Sequence, residues 1–79
     1  MIHWLEEERL PSAVKANMAR FRATSFAKSL DEGETRWRFM SWPRTHHTPL
    51  RFVLRSEDHR QATFTIDGPG RQYGKIEES

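Results

Sequence analysis

The chain has 79 residues, a formal net charge of +2 and no cysteine. A chain this short buries only about 60% of its unfolded surface, so we expect a single domain over residues 1–79 with a modest core. Small secreted domains usually depend on disulfides, so the lack of cysteine favours a reducing compartment and predicts a cytoplasmic protein. No apolar run approaches the roughly 20 residues of a membrane span, and the acidic N-terminal segment does not suit a signal peptide. These features predict no membrane association.

The first half of the chain favours helix. A helix is predicted over about 11–31, where alanine, lysine, arginine and methionine dominate. Val14, Met18 and Phe21 fall on one face of it at i, i+4 and i+7. The apolar pattern weakens around Thr24, so we expect the helix to bend or break there. The ten residues before the helix fit neither period cleanly, and their acidic run favours a helical turn over a short strand.

The second half changes from a helical to an alternating period. Apolar and polar residues alternate over 36–42, 50–55 and 62–66, which predicts three strands, and 71–77 is expected to form a fourth strand at the edge. The connections are too short for parallel crossovers, so the three or four strands should form an antiparallel meander over about 35–77. The apolar stripe of the helix needs a partner, and the sheet is the available one. The predicted fold is a two-layer α+β domain.

One predicted face of the sheet is rich in arginine. Strand alternation places Arg36, Arg38 and Trp42 on the side opposite the core, together with Arg51 and Arg55. No acidic residue occurs between the first and the last of these arginines. Like charges on neighbouring strands repel, so the arrangement predicts an anionic partner. We therefore take these five residues as the candidate binding site.

Three interpretations of this face remain open. Arginine binds phosphate and tryptophan stacks on bases, so the face could bind single-stranded RNA or DNA. Arginine and tryptophan are also typical hot-spot residues of protein interfaces, so it could instead bind an acidic protein surface. The third interpretation is a solvated face whose arginine side chains lie over the apolar residues beside them. A register slip of one residue in any strand would remove the patch, because it exchanges the two faces.

Few residues suggest chemistry. His46 and His47 are adjacent in a loop and lack the spacing of metal ligands, so no metal and no cofactor is expected. Glu57 and His59 could cleave RNA by general acid–base catalysis, with arginine stabilising the charged phosphorus centre. An N-terminal helix followed by an antiparallel sheet with a basic open face resembles the small ribonuclease toxins of the RelE type, and this resemblance implies RNA cleavage. The likeness is one of layout and assigns no catalytic residue, so a turn role is expected for both.

The function predicted from the sequence is that of a non-enzymatic binding protein. Small arginine-rich domains without catalytic motifs are often products of phages or mobile elements, which inhibit or redirect host machines. We therefore expect an inhibitor or modulator, of the anti-defence kind, that docks on a host protein or nucleoprotein complex through the basic face. The alternatives are a single-stranded RNA-binding module and a RelE-like ribonuclease. An exposed edge strand could also pair with a second copy to form a homodimer.

Overall fold

The computed structural model describes residues 1–78 and has two helices packed on a five-stranded sheet. The strands lie in chain order across the sheet; β1 is parallel to β2, and every other neighbouring pair is antiparallel. In chain order the elements are β1 (Ile2–His3), a 3₁₀ turn (Glu7–Arg9), α1 (Ser12–Arg22), α2 (Ser25–Glu32), β2 (Trp37–Ser41), β3 (Leu50–Ser56), β4 (Arg60–Ile66) and β5 (Gln72–Glu78). The predicted two-layer α+β fold is confirmed, but the sheet is mixed and has one strand more than expected.

The predicted break in the helix occurs at Thr24. Its hydroxyl donates to the carbonyl of Phe21 at 2.6 Å, at the end of α1, and accepts the N–H of Ala27 at 3.1 Å, in the first turn of α2. A threonine hydroxyl at this position satisfies a backbone donor that the second helix would otherwise leave without a partner. One residue therefore ends α1 and caps α2.

The first residues of the chain form a strand rather than the predicted helical turn. The amino group of Met1 donates to the carbonyls of Leu30, Gly33 and Thr35, and the N–H of Ile2 donates to the carboxylate of Asp31 at 2.8 Å. These bonds hold β1 beside β2, with α1 and α2 forming the crossover between two parallel strands. The expectation of a wholly antiparallel sheet is wrong. It rested on the short connections of the second half, whereas β1 and β2 are joined by a helical connection long enough for parallel pairing. A helical turn does follow β1, at Glu7–Arg9.

An aromatic cluster joins the two layers. Phe21 is fully buried at the end of α1, and its ring stacks on Phe52 of β3 with centroids 4.7 Å apart. Trp4, Phe39 and Phe64 surround the same ring at 5.7 to 6.0 Å. Offset and edge-to-face contacts of this kind add to the stabilisation that burial alone provides. The cluster fixes which face of the sheet the helices cover.

The loop between β2 and β3 is attached to α1 by a buried side chain. Asn17 is 1% exposed, and its Nδ2 donates to the carbonyls of Pro43 at 3.1 Å and Thr45 at 2.9 Å. A buried amide needs such partners, since leaving it without them costs about 1 to 3 kcal/mol. The two bonds therefore fix where the chain leaves β2.

Candidate binding face

The side of the sheet opposite the helices, here called the outer face, carries four exposed arginines. Arg38 lies in β2, and Arg51 and Arg55 lie in β3, each beside residues that point into the core. Arg36 immediately precedes β2 and lies next to the buried Trp37. The structure therefore places the four arginines that the sequence selected on one face of the sheet.

Two of these arginines stand directly opposite each other. The register of β2 and β3 pairs Arg38 with Arg55. Within the described residues 1–78, none of the four guanidinium groups lies within 4.0 Å of a carboxylate. Directly opposed like charges destabilise a sheet, so this pair reduces the stability of the isolated protein. A partner that supplies negative charge would reverse that effect.

Trp42 does not lie on the outer face, and the prediction that placed it there is wrong. The pairing of β2 with β3 shifts between Phe39 and Ser41, so that Ser41 lies opposite Val53. This β-bulge inserts one extra residue and reverses the alternation that follows it. Trp42 is half-buried and packs against the core, with the guanidinium of Arg44 over its ring at 5.4 Å from the centroid. Met40, at the bulge, is 48% exposed.

The edge strand β5 adds residues to the outer face that the sequence prediction did not assign there. Tyr73 lies opposite Thr65 and is 61% exposed. Lys75 and Glu77 continue the same side of the strand and form an ion pair of 2.9 Å. The outer face is therefore basic around the arginines and mixed in charge at β5.

A hollow of about 470 Å³ lies among three of the arginines. We call it the arginine hollow. Its ionisable lining residues are His3, Arg36, Arg38, Arg55, Glu57 and His59. The sequence drew attention to all of these except His3, which enters the site only because β1 pairs in parallel with β2, opposite Arg38. No local sequence signal indicates that pairing.

Glu57 and His59 border this hollow from the turn between β3 and β4. The N–H of Glu57 donates to the carbonyl of Arg36 at 3.1 Å, and its carboxylate accepts the N–H of Arg36 at 3.4 Å. This carboxylate is thus held by backbone and not by a guanidinium. His59 has a φ of 66°, a left-handed conformation that histidine adopts more readily than most residues other than glycine, asparagine and aspartate.

Ser56, Asp58 and Arg60 form the hydrogen-bonded network that shapes this turn. The hydroxyl of Ser56 donates to the Asp58 carboxylate and accepts the N–H of Arg60 at 2.9 Å. Nε of Arg60 lies 3.1 Å from both oxygens of Asp58. The hydrogen bond from Ser56, followed by that from Arg60, lowers the pKa of Asp58 below its ordinary value of 3.8. This hydrogen-bonded network therefore stabilises the turn that carries Glu57 and His59.

A second hollow, of about 340 Å³, lies at the opposite corner of the outer face. It is lined by Pro49, Arg51, Thr63, Thr65, Asp67, Tyr73 and Lys75. The two threonines are buried, whereas Pro49, the tyrosine ring and the charged side chains reach solvent. Two cationic side chains, an aromatic ring and an acid line this hollow, whereas arginine dominates the other corner.

Among residues 1–78, no three histidine or acidic side chains are grouped as metal ligands would be. Neither α1 nor α2 is long or apolar enough to span a bilayer. His46 and His47 are exposed in the loop between β2 and β3.

Comparison of this chain with protein-family models, curated proteins and solved structures finds no match. Its function is therefore inferred from the chemistry of the outer face.

Proposed function

We propose that this protein is a binding protein that docks the outer face of its sheet on an acidic surface of another protein. The observation that carries this proposal is the directly opposed pair Arg38 and Arg55, which has no carboxylate partner within residues 1–78. Arginine presents a planar set of donors that matches a carboxylate in a bidentate geometry. The arginine hollow has room for an aspartate or glutamate side chain of the partner between the two strands.

Two features favour a protein over a nucleic acid as the partner. The tryptophan expected to stack on bases is on the core side, which leaves Tyr73 as the only phenylalanine, tyrosine or tryptophan on the outer face among the described residues. Glu57 lines the arginine hollow and would repel phosphates. Single-stranded nucleic acid is usually held by several aromatic platforms in a groove of uniform positive charge. A protein surface offers both signs of charge and suits this mixed face better.

Occupying an acidic surface blocks whatever that surface otherwise binds. Inhibition or modulation of the partner is the expected consequence. Charge pairs at the rim of an interface act mainly on the association rate, whereas a pair that becomes desolvated acts on dissociation. Arg38 and Arg55 lie next to each other in the hollow and would be desolvated together, so they are expected to control dissociation.

The first experiment compares two labelled probes by fluorescence anisotropy, a polyglutamate peptide and a single-stranded RNA of equal charge. We expect the peptide to bind at least as tightly as the RNA at low salt. The double variant Arg38→Gln/Arg55→Gln should lose this binding, and the matched variant Lys15→Gln/Arg20→Gln, which removes two charges from α1, should keep it. Loss in both variants, or in neither, would contradict the proposed site.

Tight, saturable binding of the RNA alone would instead favour nucleic acid. With four arginine–phosphate contacts, the logarithm of the RNA association constant should fall with the logarithm of salt concentration at a slope of about −3. A slope that stays the same in Arg38→Gln/Arg55→Gln would place the RNA elsewhere on the protein.

RNA cleavage is a second candidate, favoured by the composition of the arginine hollow. Glu57, His59 and His3 lie around it with three arginines. One of the three could accept the proton of a ribose 2′-hydroxyl as its oxygen attacks the phosphorus, and another could protonate the 5′-oxygen as its bond to phosphorus breaks. Arginine would stabilise the charge that develops on the phosphate oxygens.

This candidate is tested by incubating the protein with the same RNA and resolving the products. His59→Asn is the suitable variant, because asparagine tolerates the left-handed conformation that residue 59 adopts. Cleavage by the wild type that is lost in His59→Asn would support a ribonuclease. Intact RNA after incubation with the wild type, or cleavage that persists in the variant, would remove His59 from consideration.

A further inference from the structure

The sheet has one long exposed edge. β5 spans seven residues, all of them exposed, whereas β1 at the other edge has only two. Half of the backbone N–H and C=O groups of an edge strand point away from the sheet and are available to another strand. Two of the large hydrophobic side chains exposed in residues 1–78, Tyr73 and Ile76, lie on β5. The edge is therefore both unpaired and partly apolar.

A second copy of this chain fits the edge by its charge pattern. Two antiparallel edge strands are related by a two-fold axis perpendicular to the sheet, so opposed side chains lie on the same face. If the axis passes at Ile76, the two Ile76 side chains are neighbours. Lys75 then lies opposite the partner's Glu77, and Glu77 opposite the partner's Lys75, on the outer face. Both charge pairs are attractive, and the symmetry forms them twice.

The neighbouring registers are less favourable. An axis at Lys75 places that lysine opposite the partner's Lys75, and an axis at Glu77 opposes two glutamates. An axis at Gly74 leaves the centre of the interface without side chains. Cross-strand pairs of opposite charge and of β-branched residues stabilise a sheet, and like charges destabilise it. The sequence of β5 thus favours the register centred on Ile76.

We propose that the protein forms a homodimer by antiparallel pairing of β5 with the β5 of a second copy, in the register centred on Ile76. The dimer has a continuous sheet of two times five strands, with both outer faces on the same side. The arginine hollows lie on β2 and β3 of each copy, away from the two-fold axis. A dimer therefore presents two equal binding surfaces, either to one partner or to two. The pairing of the β5 strands does not require that the outer face be occupied.

Among the described residues, the overlap in this register covers residues 74–78 of each copy. Stable interfaces bury at least about 1,000 Å² with good complementarity, and an edge of this length buries less. Association is therefore weak and depends on protein concentration. A partner that engages both outer faces strengthens it, because the second contact becomes intramolecular.

Charge exchange at β5 tests the register by sedimentation velocity across a concentration series. In Lys75→Glu and in Glu77→Lys, both cross-strand pairs become repulsive, and we expect the dimer dissociation constant of each variant to rise about tenfold. The double exchange Lys75→Glu/Glu77→Lys restores both pairs and should return the dissociation constant to that of the wild type. Lys15→Glu, an equal charge change on α1, should leave it unaltered.

Mixing the two single variants separates pairing between copies from effects within one chain. A dye-labelled Lys75→Glu chain should dimerise more tightly with added Glu77→Lys chains than either variant does alone, because both cross-strand pairs are attractive only in the mixed dimer. The repulsion that each substitution creates within its own strand is unaffected by mixing. A wild type that stays monomeric throughout, a dimer insensitive to both exchanges, or a mixture no tighter than its components would overturn the proposal. These outcomes are distinguishable from those of the anion-binding experiments, which substitute Arg38 and Arg55 on β2 and β3 and measure the binding of peptide or RNA.

Discussion

Removing one arginine of the opposed pair should stabilise the protein while weakening its binding. Arg38 and Arg55 face each other across β2 and β3 without a carboxylate partner in residues 1–78. Their repulsion is present in the folded protein and largely absent from the unfolded chain, where they are 17 positions apart in sequence. Arg55→Gln should therefore raise the free energy of unfolding.

The magnitude follows from the spacing of the two strands. Directly opposed residues have Cα atoms about 4.5 to 5.5 Å apart, and with about 6 Å between the guanidinium charges the repulsion in water is about 0.7 kcal/mol. Screening over a Debye length of about 8 Å at physiological salt lowers it to roughly 0.3 kcal/mol. Arg38→Gln and Arg55→Gln should each raise the free energy of unfolding by this amount. The double variant should raise it no further than either single variant, since the first substitution already removes the repulsion.

Urea denaturation of the wild type, both single variants and the double variant, at low and at physiological salt, measures these quantities. The coupling free energy of this double-mutant cycle should be about 0.7 kcal/mol at low salt and should shrink when salt is added. Arg20→Gln, which removes an exposed arginine from α1, should give no such gain. Additive effects, or a coupling that is independent of salt, would refute the reasoning that the two charges repel.

Three further predictions concern the turn and the edge strand, each measured as the free energy of unfolding in urea. Because the pKa of Asp58 is lowered in the folded protein, its carboxylate stabilises the fold above its ordinary pKa of 3.8, and this stabilisation is lost as the pH falls through the lowered pKa. Asp58→Asn should abolish this acid-dependent loss of stability. A pH profile of the variant equal to that of the wild type would contradict this prediction. His59→Gly should be more stable than His59→Ala by about 1 kcal/mol, since both variants lack the imidazole and only glycine adopts a φ of 66° without strain; equal stabilities would contradict this reasoning. Gly74→Ala should destabilise the protein by about 1 to 3 kcal/mol, because the new Cβ would lie 2.6 Å from the ring of Phe26. Gly33→Ala is the control, because a Cβ at residue 33 would lie 3.8 Å from its nearest neighbour, the carbonyl oxygen of Leu30.

The candidate site shows where strand periodicity is sufficient and where it fails. Arg38, Arg51 and Arg55 lie on the predicted face because each falls between two core residues of a regular strand. Trp42 does not, because the bulge after Phe39 reverses the alternation. A bulge depends on how one strand pairs with its neighbour. The five residues of β2 contain no local sequence signal that indicates it.

Local sequence determined most of the elements of this protein. The period of apolar residues specified a helical half and a half of strands, and the hydroxyl of Thr24 specified the break between α1 and α2, because these features depend on residues within a few positions of each other. Tertiary structure alone decided the pairing of β1 with β2, which brings His3 next to Arg38 across 35 positions of sequence. It also decided the opposition of Arg38 to Arg55 and the exposure of β5 at the edge. Each of these depends on which strands become neighbours, and that choice is made by burying one common core and not by any short stretch of the chain.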